Sequence, residues 1–127
     1  MINVGISRVH NSATTLLDNG DVVFHIENER LSNIKYDAFP FLSLGKLKDY
    51  TDKVDNLCIA GVGEVVPCDN WNNDNMYTAF TSSLGKSFHE HEMTTYDLSL
   101  QHHLTHAACA FYNSGFKQAL CIIRDGM

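Results

Sequence analysis

The chain has 127 residues, 44% of them hydrophobic and 19% charged, which suits one globular domain and excludes a disordered chain. Its formal net charge of −6, with no run of Lys or Arg, argues against a nucleic-acid-binding face. The start MINVGIS is not a signal peptide, and nothing approaches the roughly 18 apolar residues of a membrane span, so a soluble, cytoplasmic protein is expected.

Residues 2–7 (INVGIS) predict a first strand. After the loop RVHNS, residues 13–18 (ATTLLD) lead into Asn19-Gly20, and DVVFHIENE follows. Asn-Gly between two β-rich runs predicts a hairpin, because a type I′ turn needs positive φ at both central positions. The chain therefore opens as a three-stranded antiparallel meander. The polar stretch LSNIKYDAFP reads as irregular, and Pro40 can open a helix running to about Tyr50 with Leu42, Leu44 and Leu47 on it.

VDNLCIAGV, residues 54–62, reads as a fourth, buried strand. PCDNWNNDN is a polar loop, MYTAFTSSLG fits a short helix, and FHEHEMTTYDLSL is ambiguous. Residues 99–114 make the clearest helix: Asp97 or Ser99 can cap it, Gly115 can end it, and Leu104, Ala107, Ala108 and Phe111 supply an apolar face. QALCIIRD, residues 118–125, then reads as a buried strand. The order β-β-β-α-β, then α-β, is that of an α/β ribonuclease-H-like lobe, a meander extended by parallel strands with crossover helices. A generic α/β sandwich is the runner-up.

None of the cysteines 58, 68, 109 and 121 forms a CxxC pair, so a zinc ribbon is not expected; Cys109 and Cys121 read as buried thiols. His102 and His106 are four apart, so a helix projects both imidazoles from one face. That is how HExxH helices offer two metal ligands, although surface or packing roles are the commoner use of the spacing. If the strand 118–125 returns antiparallel to the helix, Asp125 finishes near the helix start, and a carboxylate beside two imidazoles suits Fe(II), Mn(II) or Zn(II). The competing reading makes Asp125-Gly126 a simple turn. His10 follows the first strand, where a neutral imidazole can act as general base or be an ordinary loop residue. Glu29, Arg30 and Lys35 are either a solvated edge or an anion clamp. His89 and His91 would share a face only on a strand.

Three stretches in order, covering about half of the chain, resemble the O-carbamoyltransferases. GISRVHNSATTLL resembles the family's G-I-S-x-x-H-D-S-S-A-x-L opening, with Asn11 where the family usually has Asp. ENERLSNIKYDAFP resembles its E-E-R-x-S-x-x-K-x-D-x-x-F-P segment. QHHLTHAACAFYNSGFKQALCIIRDG resembles its H-H-x-x-H-A-x-x-A-x-x-x-S-x-F-x-x-A segment ending in D-G. The family includes nodulation-factor, tobramycin and cephalosporin carbamoyltransferases.

The resemblance implies an actin/sugar-kinase type fold of two ribonuclease-H-like lobes, similar to the tRNA threonylcarbamoyl-transfer subunit. Residues 1–127 would be the N-terminal lobe. It implies that His102, His106 and Asp125 hold iron or another divalent metal, that His10 is the base for an acceptor hydroxyl, and that Lys35 is catalytic. Asp125 and Gly126 would open the phosphate loop of a nucleotide site. The chemistry implied is carbamoyl phosphate plus ATP giving a carbamoyl-adenylate, whose carbamoyl group passes to a small-molecule hydroxyl. A second lobe and a YrdC-like domain, in cis or in trans, would be needed to complete it, and a lone lobe would be inactive and prone to homo-oligomerise. Two other classes stay open: a non-catalytic binding or assembly module, and a metal-dependent nuclease, which the acidic charge and the lack of clustered carboxylates on the first strand disfavour.

Overall fold

The computed structural model describes residues 1–62 and 75–124. The meander forms as the sequence predicts. Strand β1 (Ile2–Ser7) pairs antiparallel with β2 (Ala13–Asp18), and β2 pairs antiparallel with β3 (Asp21–Glu27). Asn19 and Gly20 both have positive φ, 49° and 97°, as the tight hairpin requires. The third strand ends earlier than expected, because Glu29–Ser32 form a short helix, α1.

Pro40 precedes α2 (Phe41–Gly45), which tightens into a 3-10 turn over Lys46–Asp49. Strand β4 (Asn56–Ala60) then adds parallel to β1. Helices α3 (Met76–Ser82) and α4 (Lys86–Glu90) lead to β5 (Thr94–Asp97), parallel to β4. The result is an α/β fold with a five-stranded mixed sheet, order β3-β2-β1-β4-β5.

Period-2 alternation sorts the sheet into two faces. Val4 and Ile6 of β1, Leu16 of β2, and Leu57 and Ile59 of β4 point one way and are fully buried. Leu44, Leu47, Tyr77 and Phe88 from α2, its 3-10 extension, α3 and α4, with Val54 from the loop before β4, cover them. Asn3, Thr15, His25 and Asn56 alternate with these along the same strands and pair with each other: Asn56 Nδ2 donates to Asn3 Oδ1 at 2.8 Å, and Thr15 Oγ1 lies 2.8 Å from His25 Nδ1. The ambiguous stretch around His89 and His91 is not a strand there: His89 lies in α4 and His91 follows its end, with its Nε2 2.8 Å from Asp55 Oδ1.

Two expectations fail at the C-terminal side. Helix α5 (His102–Ser114) forms and ends at Gly115, which has φ +75°, but it buries none of its residues. Residues 118–124 are not a strand: they turn back along α5 without joining a ladder among the described residues. An apolar run becomes a buried strand only where a neighbouring strand accepts its backbone groups, and the edge strand β5 takes up none of theirs among the described residues. The thiols follow from this. Cys109 is exposed and Cys121 only half-buried, so neither is the core thiol expected, and neither forms a disulfide. Cys68 and the loop 67–74, like Asp125 and Gly126, lie outside the described residues.

Candidate functional site

The carboxyl ends of the parallel strands β1, β4 and β5 gather at one edge of the sheet, the position at which open α/β sheets bind ligands. Arg8 ties this edge together. Its backbone N–H donates to Ala60 O at 3.0 Å, its Nη2 donates to Val62 O at 3.1 Å, and its Nε donates to Ser99 Oγ at 3.3 Å. Gly61 belongs to the same knot: a Cβ there would stand 2.6 Å from Arg8 Cγ, so glycine admits the arginine. Sequence reading passed over Arg8. A cation directly after a strand is not a motif, and only the parallel β1–β4 register gives it meaning.

Beyond β5 the chain runs straight into the histidine helix. Asp97 Oδ1 accepts the Ser99 N–H at 3.0 Å at the start of a 3-10 turn, Ser99–Gln101, that continues into α5. Neither Asp97 nor Ser99 caps α5 as the sequence predicts: the residue before the helix is Gln101, which makes no side-chain cap hydrogen bond. One turn of α5 later the two imidazoles converge. His106 Nε2 lies 3.0 Å from His102 Nε2, with ring centroids 4.4 Å apart. The i, i+4 spacing produces this, and His103 points away with its ring centroid 5.9 Å from that of His102.

Nitrogens 3.0 Å apart match one edge of a coordination shell with metal–nitrogen bonds of about 2.1 Å. The pair therefore fits a metal. Among the described residues no group of three or more His, Cys, Asp or Glu side chains forms a complete site. The third expected ligand, Asp125, lies outside the described residues. Its neighbour Arg124 lines, together with His106, Ala110, Phe116 and Ile122, a cavity of about 510 Å³ between α5 and the returning chain.

The second group sits on the loop after β1 and the segment after β3. A buried polar knot welds these two. Asn28 donates its N–H to Ser12 O at 2.7 Å and its Nδ2 to Asp37 Oδ2 at 2.7 Å, while its Oδ1 accepts the Ser43 N–H at 2.8 Å. Ser12 Oγ donates to Asp37 O at 2.7 Å, and Ser43 Oγ lies 2.9 Å from Thr14 Oγ1. Ser12, Thr14, Asn28 and Ser43 are all fully buried, and every buried side-chain polar atom among the described residues has a partner. A hydrogen bond from the Ser32 hydroxyl, then one from the Phe39 N–H, hold the Asp37 carboxyl below its usual range against partial desolvation.

On this base stand His10 and Lys35, both touching Tyr36. The His10 ring meets the Tyr36 ring edge-on, centroids 6.4 Å apart, and Lys35 Nζ lies 4.9 Å from the Tyr36 centroid. Arg30 is not part of an anion clamp: its Nη2 is shared between Glu27 Oε2 and Glu29 Oε1, each at 3.2 Å. Lys35 pairs with no carboxylate among the described residues. The structure thus brings His10 and Lys35 each to the Tyr36 ring and His102 to His106, with Arg8 reaching from the first loop to the turn before α5. No protein-family model, curated protein or solved structure matches the chain. No helix among the described residues is long and apolar enough to cross a membrane.

Proposed function

We propose that the chain is the N-terminal, ribonuclease-H-like lobe of an ATP- and carbamoyl-phosphate-dependent O-carbamoyltransferase. The observation that carries this reading is the convergence of His102 and His106 Nε2 to 3.0 Å, on a sequence that resembles the family at three ordered motifs. The strand order β3-β2-β1-β4-β5, a meander extended by two parallel strands, supports the lobe assignment. His102 and His106 would hold Fe(II) or another divalent metal, with Asp125 as the third ligand that the resemblance implies. When bound, the metal supplies Lewis-acid polarisation and a template for phosphate and carbamoyl oxygens.

The remaining work falls to the chain's own groups. His10 is exposed on its loop, so it can take the proton of an acceptor hydroxyl arriving from solvent. Lys35 presents a compact positive charge to an anionic oxygen of the donor. Asp125 and Gly126 would begin the turn that meets nucleotide phosphate. A second lobe and an adenylate-forming domain, in the same polypeptide or another, would close the cleft. A cytoplasmic setting fits the ATP and carbamoyl phosphate the reaction uses. The bare helix α5 favours one alternative, a non-catalytic assembly module that keeps this fold.

Fe(II) titration of the wild type and of a His102→Ala/His106→Ala variant tests the assignment. Stoichiometric binding in the wild type, lost in the variant, is expected. Absence of binding in both would overturn the metal reading and favour the assembly module.

A further inference from the structure

Among the described residues four non-glycine residues have positive φ: Asn11, Asn19, Asn33 and Tyr36. Asparagine tolerates the left-handed region; a bulky aromatic residue does not, and is found there when its surroundings or its role require it. Tyr36, at φ +60°, is the third residue of a tight turn closed by the Asp37 N–H donating to Ile34 O at 3.3 Å. Positive φ at that position ordinarily calls for glycine or asparagine. Packing does not explain the choice, since Tyr36 is 57% exposed. Yet its backbone is held: the Tyr36 N–H donates to Glu29 Oε2 at 3.1 Å, and Glu29 is itself anchored by Arg30.

The ring is where the strain is put to use. One side chain touches both expected reactive groups: the Lys35 ammonium stands over its face, and the His10 imidazole meets its edge. A cation above an aromatic face and a ring against an aromatic edge are both favourable and directional contacts. Glycine or asparagine would relax the turn and leave Lys35, a flexible four-carbon arm, with nothing to orient it. We propose that Tyr36 is a positioning residue: its ring, held out by the strained turn, fixes the Lys35 ammonium and the His10 imidazole relative to one another. The inference rests on the roles of Lys35 and His10 in the function proposed above.

The test follows the ring-proton signal of His10 by NMR in the full chain. Lys35→Met is made in the wild-type, Tyr36→Phe and Tyr36→Asn backgrounds. Removing Lys35 should move the His10 signal in the wild type and in Tyr36→Phe, and that response should fall about five-fold or more in Tyr36→Asn. Tyr36→Asn should melt no lower than the wild type, because asparagine suits the turn. An undiminished His10 response in Tyr36→Asn, or none in the wild type, would overturn the proposal. So would a lowered melting temperature in Tyr36→Asn, which would make the ring a packing residue. These signals involve neither metal nor turnover, so failure of Fe(II) binding would remove the proposed function and leave this result standing.

Discussion

Two aspartates contribute to how the molecule responds to acid. Asp37 is held below the ordinary carboxylate range first by the Ser32 hydroxyl and then by the Phe39 N–H and the Asn28 amide. Asp55 is lowered chiefly by the Ile2 N–H, which donates to its Oδ2 at 2.6 Å, with His91 and Lys53 adding to the effect. For a depressed carboxylate the stabilisation is present above the unfolded value, 3.8 for both, and is lost as the pH falls through the lower folded value. An Asp37→Asn/Asp55→Asn variant should therefore be less stable than the wild type near neutrality, and its melting temperature should fall less steeply below about pH 4. Equal acid slopes in melting curves of the two proteins would contradict this. At this scale the sequence reading reached His10, Lys35, His102 and His106 because each sits in a local pattern. It missed Arg8, Asn28 and Tyr36, whose meaning depends on partners far along the chain: Ser99, Ser43 and His10.

Local chemistry decided the elements wherever a local signal was strong. Asn19-Gly20 set the β2–β3 hairpin, Pro40 the start of α2, and Gly115 the end of α5. Helix α3 adds a cap that the sequence had masked inside a polar loop. Asn75 Oδ1 accepts the Tyr77 and Thr78 N–H groups, each at 3.0 Å. Asn75→Ala should cost about 1 kcal/mol in urea unfolding. Leu57→Ala, in the interior strand β4 at full burial, should cost about 2–5 kcal/mol in the same assay. A smaller loss from Leu57→Ala than from Asn75→Ala would contradict the assignment of the core. The ambiguous stretch around β5 was unreadable for a physical reason: Thr94–Asp97 is a half-exposed edge strand, so its residues carry little apolar alternation.

For the whole molecule, the consequential feature is the unshared apolar surface beyond β5. Leu120 and Ile122 are 88% and 85% exposed, and with the exposed Phe116 they line one cavity. Contiguous apolar surface of this kind drives association. A Leu120→Lys/Ile122→Lys variant should scatter less light at high concentration while keeping its melting temperature, because neither side chain supports the core. A fall in melting temperature would show that the returning chain is part of the folding unit. Periodicity could identify residues 118–124 as apolar, but whether an apolar run becomes a strand is decided by a neighbour, which no window of sequence contains. The Asn28 knot has the opposite character, since everything it needs lies within the first 43 residues. One amide there joins the loop that bears His10, the segment that bears Lys35, and helix α2. Positions 28 and 37 consequently behave as one inherited unit: a change at 37 strands the Asn28 Nδ2 and a change at 28 strands the Ser43 N–H, so in relatives of this chain the two should vary together or not at all.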